Sequence, residues 1–144
     1  MTPRFVDYYM DRAERTAQLS RARRLQVGAI IVKATRIISI GFNGTPSGWD
    51  NNCEDELYHE DGAPVTLKTR PEVIHAESNA VSKLARSTES GLGAAMFVTH
   101  APCMDCAKLI YQSGIASVYY RHSYRDHSGV EFLDRCGVDL YQIN

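Results

Sequence analysis

The apolar positions change period along the chain, and each change marks an element. From Thr2 onward they fall at Phe5, Tyr9, Ala13 and Ala17, with Val6 and Met10 beside them. That spacing predicts an amphipathic helix. Thr2-Pro3 supplies its start, a cap followed by proline in the first turn, and the pattern runs to about Leu19. Val27-Gly28-Ala29-Ile30-Ile31-Val32 is then a continuous apolar run, the mark of a buried strand. Ala34-Thr35-Arg36 turns the chain, and Ile37-Ile38-Ser39-Ile40-Gly41-Phe42 returns as a second strand. So short a connection requires an antiparallel hairpin. Asn43 to Gly48 is a turn cluster. Roughly thirty residues without clear periodicity follow, more than most loops in compact domains contain, which makes the segment a functional candidate. It holds Trp49, Cys53, His59 and several acids.

The second half alternates. A helical pattern runs from His75 through Ala80, Leu84 and Ala85 until Gly91 and Gly93 break it. Ala94 to Thr99 reads as a strand. A helix starts at Pro102 with Ala107, Ile110 and Tyr111 on its apolar side, and Ser117 to Tyr120 is the next strand. Ser128 caps a last helix that runs through Phe132 and Leu133 to Cys136, and Gly137 stops it. Val138 to Ile143 is the final strand. Strands joined by helical crossovers pair in parallel and right-handed. The expectation is a single α/β domain over residues 1–144, a three-layer α/β/α fold with a five-stranded mixed sheet.

Composition excludes more than it selects. Sixteen basic against seventeen acidic residues leave a net charge of −1, so no broad basic field speaks for nucleic-acid binding. One local basic run, Ser20-Arg21-Ala22-Arg23-Arg24, enters the first strand directly. It is either a solvated loop or an anion contact. No apolar stretch has transmembrane length, and no signal-peptide core is visible near the start. Cytoplasmic placement is expected, with the four cysteines read as thiols and not as two disulfides.

The candidate chemistry lies between His75 and Cys106. His75-Ala76-Glu77 opens one predicted helix, and Pro102-Cys103-Met104-Asp105-Cys106 opens another. One imidazole and two thiols are three zinc-type ligands, one short of a closed tetrahedral site, which leaves a position for water. Helix N-termini carry unpaired N–H groups and positive dipole ends, which favour thiolate. Glu77, two residues past the histidine, is placed off the metal to move the water's proton. The pattern H-x-E…P-C-x-x-C is the recognised signature of zinc nucleobase deaminases. On its own a Cys-x-x-Cys pair also suits a redox couple or half of a four-ligand structural site. Cys53, His59 and Cys136 are the spare soft ligands considered for a second zinc, and they show no convincing spacing.

Over nearly its whole length the chain resembles the deoxycytidylate (dCMP) deaminases of the cytidine deaminase-like superfamily. The resemblance is carried by Gln26 to Val32, by Gly41-Phe42-Asn43-Gly44-Thr45-Pro46-Ser47-Gly48, by His75 to Ala80, and by Tyr124-Arg125-Asp126. It implies deamination of dCMP to dUMP for thymidylate supply, with activation by dCTP, inhibition by dTTP, and a homohexamer in many members. It implies one catalytic Zn2+ on His75, Cys103 and Cys106, and Mg2+ accompanying the dCTP effector. Glu77 becomes the proton shuttle. Asn43 matches a nucleoside contact and Tyr124 a phosphate contact; Asn79, Ala76, Arg125 and Pro102 complete the substrate set. Gly41 and Gly44 fall in the loop implicated in the effector site, with Arg24 nearby and Arg86 on the helix after Glu77. A helical Asn79 is expected to bond the Asn43 loop, because asparagine is a poor helix former. Other deaminases, of tRNA adenosine or of free cytosine, and a non-catalytic zinc domain are the alternatives.

Overall fold

The computed structural model describes residues 1–144. In chain order the elements are α1 (Pro3–Ala17), β1 (Gly28–Lys33), β2 (Arg36–Phe42), β3 (Glu54–Leu57), β4 (Thr66–Thr69), α2 (Ala76–Leu84), β5 (Ala95–His100), α3 (Met104–Gln112), β6 (Ser117–His122), α4 (Ser128–Arg135) and β7 (Asp139–Gln142). The main sheet has five strands in the order β2-β1-β5-β6-β7. β1 is antiparallel to both β2 and β5, while β5, β6 and β7 run parallel. The expected mixed sheet is therefore present.

Alternation along β1 divides the core. Ile30 and Val32 face α1, where they meet Val6, Tyr9, Met10 and Ala13, with Phe97 from β5. Ala29 and Ile31 face the other way, into a larger cluster with Ala80 of α2, Ala107 and Ile110 of α3, and Leu133 of α4. One helix covers one face and three cover the other, which completes the three layers. Two glycines set how closely the helices approach. A Cβ at Gly28 would collide with the Ala13 carbonyl of α1, and one at Gly41 with the Ala76 carbonyl of α2.

Several element ends differ from the sequence reading, each for a local reason. α1 stops at Ala17, short of Leu19, and its buried face uses Thr16, while Phe5 is 42% exposed. The Thr2 side chain makes no capping bond; its carbonyl accepts the N–H groups of Phe5 and Val6. α2 ends at Leu84, so Arg86 sits in the turn beyond the helix and is exposed. Tyr111 of α3 is 42% exposed and not on a buried face. Ser128 is the first residue of α4 and not its cap; the Asp126 carboxylate accepts the Ser128 N–H at 2.9 Å.

The long aperiodic segment contains an unforeseen antiparallel pair, β3 with β4, outside the main sheet. Its side chains are largely exposed, so no apolar alternation announced it. Glu54 is the exception. It is 2% exposed, and its Oε2 accepts the N–H groups of both Arg23 and Arg24 at 2.9 Å. The basic run is thus fastened to β3 through its backbone, and the Arg23 side chain pairs with Glu54 and Glu56.

The β1–β2 turn is strained. Ala34 and Thr35 have φ of 49° and 62°, the left-handed values a two-residue hairpin turn demands and asparagine and glycine adopt readily. The Tyr9 hydroxyl donates to the Thr35 carbonyl at 2.9 Å and holds the turn against α1. Replacing Ala34-Thr35 by Asn-Gly is expected to raise unfolding free energy by about 1 kcal/mol, read as a higher denaturant midpoint with unchanged slope. Gly41→Ala is expected to lower it by about 1–3 kcal/mol in the same measurement, because α2 must shift away from β2.

Candidate active site

α2 and α3 begin side by side, and each carries a candidate metal ligand in its N-cap position. The His75 carbonyl accepts the Asn79 N–H at 2.9 Å, and the Cys103 carbonyl accepts that of Ala107 at 2.8 Å. Neither side chain makes a capping bond, so both are free to leave the helix axis. An isolated bridge pins the approach to α2: Gly44 N–H donates to the Ile74 carbonyl at 3.1 Å and Ile74 N–H returns to Gly44 at 2.8 Å. On the other side Gly129 of α4 lies so close to the backbone of Pro102 and Cys103 that a Cβ would collide with the Pro102 carbonyl.

This brings the ligand atoms together. His75 Nδ1 lies 3.6 Å from Cys103 Sγ and 3.4 Å from Cys106 Sγ. All three donors lie within 4.8 Å of one another, and they form the one such cluster in the chain. A tetrahedral zinc with bonds of about 2.3 Å to sulfur and about 2.0–2.1 Å to nitrogen separates N from S by roughly 3.6 Å. The residues therefore fit a zinc ion, with one coordination position left unclaimed by protein. Ser78 Oγ is 3.2 Å from Cys106 Sγ, a thiol partner the sequence reading missed.

The protein's own charges prepare the donors. Hydrogen bonds from Cys106 and His75 pull Cys103 down to about 4, well into the thiolate range. Cys106 is pushed up, chiefly because it is the proton-bearing partner of Cys103. The bond to Cys103 raises His75. Glu77 is 5% exposed, and burial pushes its carboxyl up to about 7. A group poised there exchanges protons readily near neutral pH.

The cluster opens onto a cavity of about 120 Å³. Of the residues read from sequence, Glu77, His75, Cys103, Ala76, Asn43, Arg24 and Tyr124 line it. The Asn43 amide also braces the wall: Oδ1 accepts the Val27 N–H and Nδ2 donates to the Leu25 carbonyl, both at 2.8 Å. One amide hydrogen and one lone pair remain for a ligand. Asn79 does not line the cavity. Its Nδ2 donates to the Phe42 carbonyl at 3.2 Å, so it supports the Asn43 loop from beneath, as its place in a helix suggested. Pro102 is fully buried behind Cys103, and Gly41 is taken up by packing against α2. Arg125, Gly44 and Arg86 lie outside the lining. The cavity is also lined by Glu54 and His100, neither of which the sequence reading singled out. Cys53 is buried next to Glu54, Cys136 caps α4, and the exposed His59 bonds Thr66 at 3.0 Å.

Residues 3–122 match the family described as the cytidine and deoxycytidylate deaminase zinc-binding region, and the chain belongs to that family. Among solved structures, dCMP deaminase from the cyanophage S-TIM5, crystallised with dCMP and dUMP, superposes with a TM-score of 0.87 at 44% identity over 99% of both chains. ComE operon protein 2 of Bacillus subtilis is 37% identical over 94% of this chain and 69% of its own length. The deoxycytidylate deaminase of enterobacteria phage T4 is 32% identical over 88% of this chain and 83% of its own.

The purified chain is expected to carry roughly one zinc per molecule by elemental analysis. Cys106→Ala is expected to abolish stoichiometric zinc, since a site left with two protein ligands is no longer held closed on its buried side.

Proposed function

We propose that the protein hydrolyses dCMP to dUMP and ammonia. The observation that carries this reading is the pairing, in one cavity, of a buried carboxyl poised near 7 with a His-Cys-Cys zinc-type site. The cyanophage relative, which was solved with substrate and product nucleotides and matches end to end, supports the choice of dCMP.

When bound, zinc supplies Lewis acidity that makes water nucleophilic near neutral pH. The rest falls to the chain. Glu77 takes a proton from the water, delivers it to the ring nitrogen N3, and assists departure of the amine from C4. One water is consumed, the C4–N bond breaks, and a carbonyl oxygen replaces the amino group. Burial of Glu77 keeps solvent from competing for that proton. Asn43 offers its remaining amide hydrogen and lone pair to the nucleoside, and Ala76 closes the wall beside the ring. Tyr124 and Arg24 offer an O–H and a guanidinium to the phosphate. Arg125, exposed next to Tyr124, adds long-range attraction.

The wider reading extends to dCTP activation, dTTP inhibition and a homohexamer, with Mg2+ carried by the effector's phosphates. Supporting the oligomer are apolar side chains exposed around β3–β4, among them Trp49 at 59% and Tyr58 at 75%, which a monomer would leave in water. Gly44 and Arg86 are the candidate effector contacts, while Arg24, first read as a third, lines the cavity and is assigned to the substrate phosphate. No helix is long and apolar enough to cross a membrane, and all four cysteines are free, in keeping with work in a reducing cytoplasm.

Ammonia release should be greatest with dCMP among dCMP, cytidine, cytosine and adenosine-containing RNA; turnover of RNA without turnover of dCMP would reject the assignment. Glu77→Gln should retain zinc while kcat falls at least about a hundredfold. If dCTP left the dCMP saturation curve unchanged, the regulatory reading would be lost and the catalytic one would stand.

A further inference from the structure

His100 ends β5, three residues before Cys103, and its ring lines the cavity. Its protonation pattern can be read from its neighbours. Thr99 is 0% exposed, and its Oγ1 accepts the Gly28 N–H at 3.2 Å. That hydroxyl also lies 2.8 Å from His100 Nδ1. A buried hydroxyl must place its own hydrogen, and His100 Nδ1 is the acceptor within reach. Thr99 therefore donates and Nδ1 accepts, which puts the ring hydrogen on Nε2. That N–H has no acceptor in the protein. The ring cannot drift, because it packs on His122 with centroids 4.8 Å apart, and His122 is held by Glu14 of α1 at 3.4 Å. Glu14 also receives Arg121 at 3.3 Å, so the support reaches back to the opposite layer of the fold.

A donor with no protein partner, on a residue that lines the cavity, calls for an acceptor on the ligand. Neither acid lining the cavity takes this hydrogen in the structure: Glu77 lies at the metal cluster, and Glu54 turns Oε2 to the N–H groups of Arg23 and Arg24 and Oε1 to the Arg23 guanidinium at 3.6 Å. Arg24 and Tyr124 line the same cavity and are donors as well. Tyr124 follows His122, the strand neighbour of His100, by two residues, so the two donors stand on adjacent chain ends. In a nucleoside monophosphate the strongest acceptor is the phosphate.

We propose that His100 is a substrate-binding residue, a neutral and pre-oriented Nε2–H donor to the 5′-phosphate of the nucleotide, fixed in that tautomer by Thr99. The proposal rests on the dCMP reading above. It makes His100 a determinant of nucleotide over nucleoside, since deoxycytidine offers the same base and sugar with nothing for this N–H to grip.

The test compares kcat/KM for dCMP and for deoxycytidine in the wild-type enzyme, His100→Leu and His100→Gln. In His100→Leu the dCMP-to-deoxycytidine ratio is expected to fall roughly ten- to a hundredfold, mostly through KM for dCMP. His100→Gln, whose amide N–H reaches toward the same place, should recover part of it. A general folding defect lowers both substrates together and leaves the ratio alone. A His100→Leu ratio within threefold of wild type overturns the role of His100 and leaves the dCMP reading intact. A wild-type ratio near one overturns the dCMP reading itself, and the phosphate contact with it. Nitrogen-15 spectra of the nucleotide-free protein should show His100 protonated at Nε2; a hydrogen on Nδ1 overturns the donor assignment.

Discussion

Two helices have to begin within a few ångströms of each other, and almost everything else in this molecule serves that requirement. Three ligand atoms drawn from separate turns must converge on one point, and side-chain reach cannot make up for misplaced backbones. The backbone of Pro102 and Cys103 is held down by Gly129 of α4, and α2 is held down on β2 through Gly41. Neither contact survives a methyl group. The sheet supplies the common base, because β5 feeds α3 and β2 carries the loop that leads back to α2 through the Gly44–Ile74 bridge.

The same arrangement explains the site's electrostatics. The two helix starts bring His75, Cys103 and Cys106 together, and hydrogen bonds from Cys106 and His75 hold the Cys103 sulfur as thiolate while Cys106 keeps its proton. Glu77, by contrast, is the second residue of α2 and is buried, and burial disfavours its charge. A group held in its charged form, Cys103, and one held near its midpoint, Glu77, therefore line one cavity. Function depends on keeping the two apart in character while they stay adjacent in space. The layer beneath does this work: Asn79 fixes the Phe42 carbonyl, Asn43 fixes Leu25 and Val27, and Ser20 donates to the Asn43 carbonyl at 2.7 Å.

Much of this was legible in the residues, because the forces concerned leave periodic traces. The buried strand β1, the hairpin to β2 and the strand-helix alternation after His75 follow from apolar spacing. The ligand set follows from donor chemistry, since so few side chains bind zinc. What escaped has no period. β3–β4 is a pair whose faces look outward, so its pairing is written in backbone hydrogen bonds alone. Glu54 looked like one acid among several until its burial and its two N–H partners were visible. His100 falls just past the strand expected from Ala94 to Thr99, and only its contacts with Thr99 and His122 distinguish it. Helix limits shifted for a similar reason: Asp126 and Ser128 are both competent caps, yet His127 holds the N-cap position of α4 and Asp126 accepts the Ser128 N–H from the residue before it.

The N-cap positions of α2 and α3 carry a consequence for how the protein tolerates change. A serine or aspartate there would normally add about 1 kcal/mol to each helix. Histidine and cysteine stand in those places with no capping bond, so both helices start less stable than their lengths allow. Random drift toward greater stability would install a hydroxyl or a carboxylate at either position and extinguish chemistry in the same stroke. These two sites are where selection for thermal resistance and selection for turnover pull in opposite directions.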